Sequence, residues 1–358
     1  MRRQDRLAMS PRRILVLKPC CLGDLVQTTS VIAALQEHWP AAEITVGTGR
    51  WSAPAVDHHP SVAAVIDVGT IGLRGKQRPA ELLRLWSLVR RRRFDMAVVP
   101  DRSPVPAILL WLCGIPVRAG YDSGGRGRWY TVRVTPRPQL HELDQAQRLL
   151  QPLGVAFLPL PRVYPGPEGT AEGRAVRATM PNSGPLALLA PGGGANPGTQ
   201  MPSKRWDPAG FASVAAALHA AGATVALVGA AGDRAVAAAV RATAPAVHDR
   251  TGQTSIAGLA ALAATAGVMV ANDSGVAHLA AAVGCPTVAI FGPTSAELYA
   301  PRGDWVRIIA PPGADRLRGD GSVRQPFVFH SRWQDAIPLA AVRDSALAGL
   351  RIDRGTRP

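Results

Sequence analysis

Short apolar, β-branched runs alternate along the chain with longer stretches of helical periodicity. "RILVLK" (13–18) reads as a strand, and "PCCLGDLVQTTSVIAALQEHW" after it as a turn and an amphipathic helix. "EITVGT" (43–48) and "VAAVIDVG" read as the next strands, "ELLRLWSLVRRRR" as a helix and "FDMAVVP" as a further strand. Pro and Gly then crowd residues 156–185, "FLPLPRVYPGPEGTAEG" among them, which marks a linker. The alternation restarts with "PLALLAPGGG" and "TVALVGAAGD" as strand and turn, and "FASVAAALHAAG" and "IAGLAALAATAG" as helices. "VMVAND" and "PTVAIFGPT" flank the helix "GVAHLAAAVG". Strands separated by helices imply βαβ units, a parallel sheet and right-handed crossovers. The expectation is an α/β protein of two doubly wound, Rossmann-like domains. One covers residues 1–165 and the other 186–358, with a linker over 166–185 and a last helix free to pack back on the N-terminal domain.

Composition changes this picture little. A chain of 358 residues has room for two domains, and 47% hydrophobic with 18% charged residues is ordinary for a globular enzyme. The formal charge of +15 fits an anionic ligand, an anionic membrane surface or nucleic acid without choosing among them. Cys20, Cys21, Cys113 and Cys285 form no C-x-x-C and match no zinc or disulfide spacing, so a reduced, cytoplasmic protein is expected. The basic start "MRRQDRLAMSPRR" leads into a strand, not into the apolar core of a signal peptide. "VPAILLWLCGIPV" is broken by Pro and falls short of the roughly 20 residues a membrane span needs.

Four constellations stand at predicted strand ends, where ligands of doubly wound sheets bind. In "KPCCLGDLVQTT" (18–29), Gly23 permits a tight turn and Asp24 opens a helix, either as a first-turn acid or as a functional carboxylate. In "APGGGANPGTQMPSKRWDPAGF" (190–211), three glycines let backbone amides approach a ligand, and Lys204 precedes a helix begun by Asp207. That lysine is either solvated or an anion partner; it sits too late for a Walker loop, and no G-K-[ST] occurs. "LVGAAGDR" (227–234) is a glycine turn into a helix. In "ANDSGVAHLAAAVGCPTVAIFGPT" (271–294), Asp273, Ser274 and Gly275 open a helix whose amides at Val276, Ala277 and His278 can face an anion. Asp273 and Ser274 also suit plain helix caps, and His278 a packed core position.

Three blocks, 14–46, 188–211 and 271–294, taken in that order, resemble glycosyltransferase family 9, the lipopolysaccharide heptosyltransferase family. The resemblance covers most of residues 13–310. It implies a GT-B fold, two Rossmann-like domains facing across a central cleft, with the nucleotide sugar on the C-terminal one. It also implies inverting, metal-independent transfer, typically from ADP-L-glycero-β-D-manno-heptose; the chain has no D-x-D, no metal ligands are assigned and no cofactor is expected. By the same resemblance Asp24 is the general base and Lys204 neutralises donor phosphate. Asp273 meets the transferred sugar, Ser274 and Gly275 the phosphates, and His278 buttresses the site. Gly193 and Thr199 join the donor-binding set. Two departures stand out: Cys20 and Cys21 replace serines common in the family before Leu-Gly-Asp, and Ser274 replaces a threonine.

The chemistry asks for these groups. Glycosyl transfer passes through an oxocarbenium-like state with a departing diphosphate, whose growing charge calls for preorganised amides and a cation. A positioned base to take the acceptor proton contributes about 10²–10⁴-fold. Arg74, Lys76 and Arg78, and Arg118, Arg126 and Arg128 beside Trp129 and Tyr130, are either solvated arginines and lysine or a grip on an anionic acceptor. The acceptor is expected to be a glycan such as the lipopolysaccharide inner core. A heptose- or hexose-transferring enzyme of natural-product or other surface-glycan assembly is the alternative. The enzyme is expected in the cytoplasm, at most peripheral to the inner face of the membrane. A nicotinamide dehydrogenase would need the missing G-x-G-x-x-G, and specific nucleic-acid binding finds only 5% aromatics and no stacking motif.

Overall fold

The computed structural model describes residues 10–69, 79–125, 127–181, 184–196, 199–312 and 333–352. The chain divides into two compact units, residues 1–161 and 162–358.

In the first unit the elements run β1 (Arg13–Leu17), α1 (Leu22–His38), β2 (Glu43–Thr48), β3 (Ala64–Asp67), α2 (Pro79–Arg91) and β4 (Met96–Val99). They continue with α3 (Pro104–Leu112), β5 (Val117–Tyr121), β6 (Val132–Val134) and α4 (Glu142–Leu150). The sheet is parallel throughout, in the order β3-β2-β1-β4-β5-β6. Its central strands are covered on both faces, which is why β1 reads as an unbroken apolar run rather than an alternation. The apolar stretch "VPAILLWL" forms α3, started by Pro104 and capped by Ser103, whose side chain accepts from the Val105 N–H at 3.4 Å. Among the described residues no helix is long and apolar enough to cross a membrane.

The second unit runs α5 (Gly166–Ala178), β7 (Leu186–Ala190), the hairpin β8 (Ala195–Asn196) and β9 (Thr199–Gln200), α6 (Pro208–Ala220) and β10 (Thr224–Leu227). It continues with α7 (Arg234–Thr243), β11 (His248–Asp249), α8 (Ile256–Thr265), β12 (Val268–Asn272) and α9 (Gly275–Ala282). β13 (Thr287–Ile290), α10 (Ala296–Tyr299), β14 (Val306–Ile309) and α11 (Leu339–Leu350) complete it. Its main sheet is again parallel, in the order β11-β10-β7-β12-β13-β14.

One expectation is corrected. The stretch assigned to a linker is largely the helix α5, which belongs to the second unit. Pro167 sits in its first turn, where a missing N–H costs nothing. Gly169 and Gly173 serve packing, because a Cβ at either would stand 2.7 and 2.8 Å from the Cβ atoms of Ala257 and Ala261 on α8. Glu172 accepts from the backbone N–H of Ser255, at 2.7 Å, and from its hydroxyl. The last helix, α11, packs on α6 and on β12 and β13 of its own unit, with Val342 and Ala346 in that unit's core.

Each sheet has one point where its strand order reverses, between β1 and β4 in the first and between β7 and β12 in the second. Beyond the carboxyl ends of those strand pairs, doubly wound sheets bind their ligands. The pairs run in register there, Val16 opposite Val98 and Ala271 opposite Ala190, so the segments that follow leave the sheet side by side.

Candidate active site

In the second unit, β7 leaves the sheet into Pro191-Gly192-Gly193-Gly194 and β12 into Asp273-Ser274. Asn272, fully buried, ties them together. Its amide donates to the carbonyls of Pro191 and Gly192 at 2.9 and 3.0 Å, and its oxygen accepts from the Trp206 N–H at 3.0 Å. That pins the segment carrying Lys204, which Trp333 holds from the other side by donating to the Ser203 carbonyl at 2.9 Å. The Lys204 ammonium lies 2.6 Å from Asp273 Oδ2, with side chains 18% and 7% exposed. The Thr294 hydroxyl donates to the same carboxylate oxygen. Asp273 therefore does not cap α9; its carboxylate is engaged by a cation and a hydroxyl.

Ser274 is the N-cap residue by position, yet its side chain caps nothing. Its Oγ is buried and bonded to no described residue, a condition that costs about 1–3 kcal/mol unless a partner is supplied. The α9 start differs from the sequence expectation in one respect. The Ala277 N–H is spent on the Ser274 carbonyl at 3.1 Å, so the first-turn amides without an acceptor in the helix are those of Gly275 and Val276. His278 is buried on α9. Gly193 has φ 111°, and a Cβ there would lie 2.8 Å from Ser274 Cβ. Gly193→Ala is expected to lower the stability of this unit by about 1–3 kcal/mol, read by thermal melting. An unchanged melting temperature would mean that this glycine does not shape the loop.

Asp233, from the "GAAGDR" turn, organises the floor. It accepts from the Ala230 N–H at 3.0 Å and from the Arg205 guanidinium at 3.2 Å, while Arg205 also donates to the Gly193 carbonyl at 3.0 Å. Thr199 lies in β9, paired with Asn196.

In the first unit, Lys18 follows β1 and Asp101 follows β4. The buried Lys18 ammonium is 3.2 Å from Asp24 Oδ2, 3.2 Å from Asp101 Oδ2, and donates to the Pro100 carbonyl at 3.2 Å. Burial works against its charge, but Asp24, Asp101 and Glu142 outweigh that and raise its pKa above the ordinary lysine value. Asp24 is 45% exposed and lines a shallow recess with Lys18, Gln27, Thr28, Tyr121 and Glu142. Cys21, the N-cap of α1, adopts φ 70°, a left-handed conformation uncommon outside glycine and frequent at functional turns. The interaction of its thiol with that of Cys20 pushes the Cys21 pKa up and draws the Cys20 pKa down.

Of the candidate acceptor arginines, the described Arg118 and Arg128 both contact Trp129. The Arg118 guanidinium donates to the Trp129 carbonyl at 2.8 Å and to that of Ile115, bracing a loop. Arg128 stacks on Trp129, 5.0 Å from its centroid. Arg126, Arg74, Lys76 and Arg78 lie outside the described residues. Among the described residues no group of three His, Cys, Asp or Glu side chains has the arrangement of a metal site.

The sequence description "Glycosyltransferase family 9 (heptosyltransferase)" matches residues 82–314. The chain belongs to glycosyltransferase family 9. Lys204, Asp233 and the 272–278 segment of this glycosyltransferase fall inside the matched span, whereas Lys18 and Asp24 precede it. It is 30% identical over 311 residues to lipopolysaccharide heptosyltransferase 2 of Escherichia coli strain K12, covering 83% of this chain and 87% of that protein. The structure of the E. coli ADP-heptose lps heptosyltransferase II superposes with a TM-score of 0.75 at 24% identity, over 94% of this chain and 98% of the other. A glycosyltransferase family 9 structure from Veillonella parvula DSM 2008 gives 0.78 at 19% identity, over 95% and 97%. The fold of this family 9 enzyme is GT-B. Lys18, Asp101, Asn272, Thr294 and Asp233 are the site residues that sequence reasoning did not single out.

Proposed function

We propose that this glycosyltransferase moves a heptose from an ADP-linked donor onto a hydroxyl of a lipopolysaccharide inner-core acceptor, inverting the anomeric centre without a metal ion. The observation that carries this is the Lys204–Asp273 pair set at the start of α9, where the β7/β12 switch point also places the Gly193 turn and the unpartnered Ser274 hydroxyl. A cation, an acid and free first-turn amides side by side suit a ligand that is anionic at one end and hydroxylated at the other. The relative named for lipopolysaccharide heptosyltransfer supports the choice of sugar and acceptor, and the adenine follows the ADP-heptose enzyme of the same fold.

In this reading Asp273 holds sugar hydroxyls, while Lys204, Ser274 and the amides of Gly275 and Val276 hold the diphosphate. The bond from the anomeric carbon to the phosphate oxygen breaks, and the negative charge growing on ADP meets the ammonium and the amides. The acceptor oxygen bonds to the anomeric carbon from the opposite face, and its proton passes to the Asp24 carboxylate. Buried His278 supports the α9 start. A lipid-linked acceptor brings the enzyme to the inner face of the cytoplasmic membrane.

A thermal-shift panel of ADP, UDP, GDP and their sugars tests the donor: ADP and ADP-heptose are expected to stabilise the protein most, and a stronger response to UDP or GDP would overturn the adenine. Lys204→Ala is expected to weaken ADP binding by about 1.5–3 kcal/mol through loss of a charge-assisted contact. Unchanged ADP affinity in calorimetry would leave Lys204 as a structural partner of Asp273 alone.

A further inference from the structure

The outer side of α2 and α3 in the first unit is unusually apolar for a surface. α2 turns Leu85 and Val89 into the core, as an amphipathic helix should, but leaves Leu83 65% exposed beside Leu82 and Trp86. α3 adds Ile108, Trp111 and Leu112, the last half exposed. Leu82, Leu83, Trp86, Val105, Ile108, Leu109 and Leu112 line an open groove whose walls are almost wholly carbon, and Trp111 stands exposed on α3. Exposed apolar side chains gathered on one face and rimmed by charged residues suit a contact surface.

The rim is basic and aromatic. Arg90 lies 5.5 Å from the Trp86 centroid, Arg128 lies 5.0 Å from that of Trp129, and Trp129 packs 4.4 Å from Trp111. Arg90 and Arg91 close α2, and Arg93 follows exposed. Among the described residues no carboxylate pairs with Arg90, Arg91, Arg93 or Arg128, and Glu81 is the one acid on α2. The Trp86 indole N–H donates to the Leu112 carbonyl at 3.2 Å, fixing the ring at the groove edge.

We infer that this face docks the enzyme on an anionic phospholipid surface, with Leu83, Ile108 and Leu112 entering the acyl boundary and Arg90, Arg91 and Arg128 meeting headgroup phosphates. Leucine and tryptophan at the centre with arginines around them is the pattern of an interfacial helix, where apolar burial and attraction to anionic lipid add. A two-fold contact between copies would bring the same arginines toward one another, which disfavours a dimer here. The inference deepens the proposed function and rests on it only for the lipid-linked acceptor.

The test is co-sedimentation of the full chain with vesicles of phosphatidylcholine alone and of phosphatidylcholine enriched in phosphatidylglycerol. Binding is expected to be at least about 10-fold stronger to the anionic vesicles and to weaken with salt. Leu83→Asp combined with Leu112→Asp is expected to reduce it at least about 10-fold. Arg90→Glu with Arg91→Glu, which leaves the groove intact, is expected to remove the preference for anionic lipid. Wild-type protein that binds neither vesicle, variants that bind like wild type, or a wild-type dimer in light scattering that Leu83→Asp dissociates would each overturn the inference. The ADP thermal shift of the same proteins keeps the two readings apart. Lost vesicle binding with an intact ADP response removes only the docking face, and absence of an ADP response in wild type removes the transferase reading.

Discussion

Asp24→Asn is expected to cut turnover at least about 10²-fold while leaving donor affinity within a few-fold. Asparagine keeps the volume and the hydrogen-bonding oxygen but cannot take a proton from an acceptor hydroxyl. Structural damage should be small. The Asp24 side chain is 45% exposed, and the buried Lys18 keeps Asp101 and the Pro100 carbonyl, so its ammonium is not left without a carboxylate. A fall in turnover at unchanged melting temperature therefore reports on chemistry. The same ion cluster explains why the carboxylate is held ready: the Lys18 charge is fixed from three sides, so Asp24 has an anchored counterion and an open face toward the recess. Single-turnover rates with calorimetric donor affinities decide the matter, and near-normal turnover would remove Asp24 from the mechanism.

Strands buried on both faces and helices with a repeating apolar stripe were legible from sequence, which is why the two parallel sheets could be anticipated. The misread helix α5 shows the limit. Its Pro167 and its glycines at 166, 169 and 173 look like loop composition, and only the approach of α8 reveals that two of those glycines make room for another helix. In the candidate site, residues beside a glycine turn or at a helix start stand out in the sequence, as Asp24, Lys204, Asp273 and Ser274 do. Their pairings do not. Lys204 meets Asp273 across 69 positions of sequence and Lys18 meets Asp101 across 83, separations that only the strand order brings together. Lys18 looked like the end of a strand and Thr294 like the exit from one. Asn272 does not stand out in sequence beside its charged neighbour, although a buried amide bonding three backbone groups is what joins the two loops.

Asp273→Ala carries the second large effect. A helix cap would lose about 1 kcal/mol on truncation, but this carboxylate bonds Lys204 and Thr294 instead of the α9 amides. Removing it leaves a largely buried ammonium without its carboxylate, so a lowered melting temperature is expected whether or not a sugar binds there. Stability alone is therefore uninformative, and ligand discrimination is the informative quantity. Lys204 remains able to meet a diphosphate, as do the Gly275 and Val276 amides, so ADP should bind almost as before. The sugar hydroxyls lose their acceptor, so an intact ADP-sugar should bind at least about 10-fold more weakly and turn over more slowly still.

Paired calorimetric titration of ADP and of a non-transferable ADP-heptose analogue, on wild type and Asp273→Ala, tests the assignment of this site most directly. The expected result is a selective loss for the ADP-sugar with ADP affinity held within a few-fold. Equal losses for both ligands would contradict it and leave Asp273 as a structural counterion of Lys204.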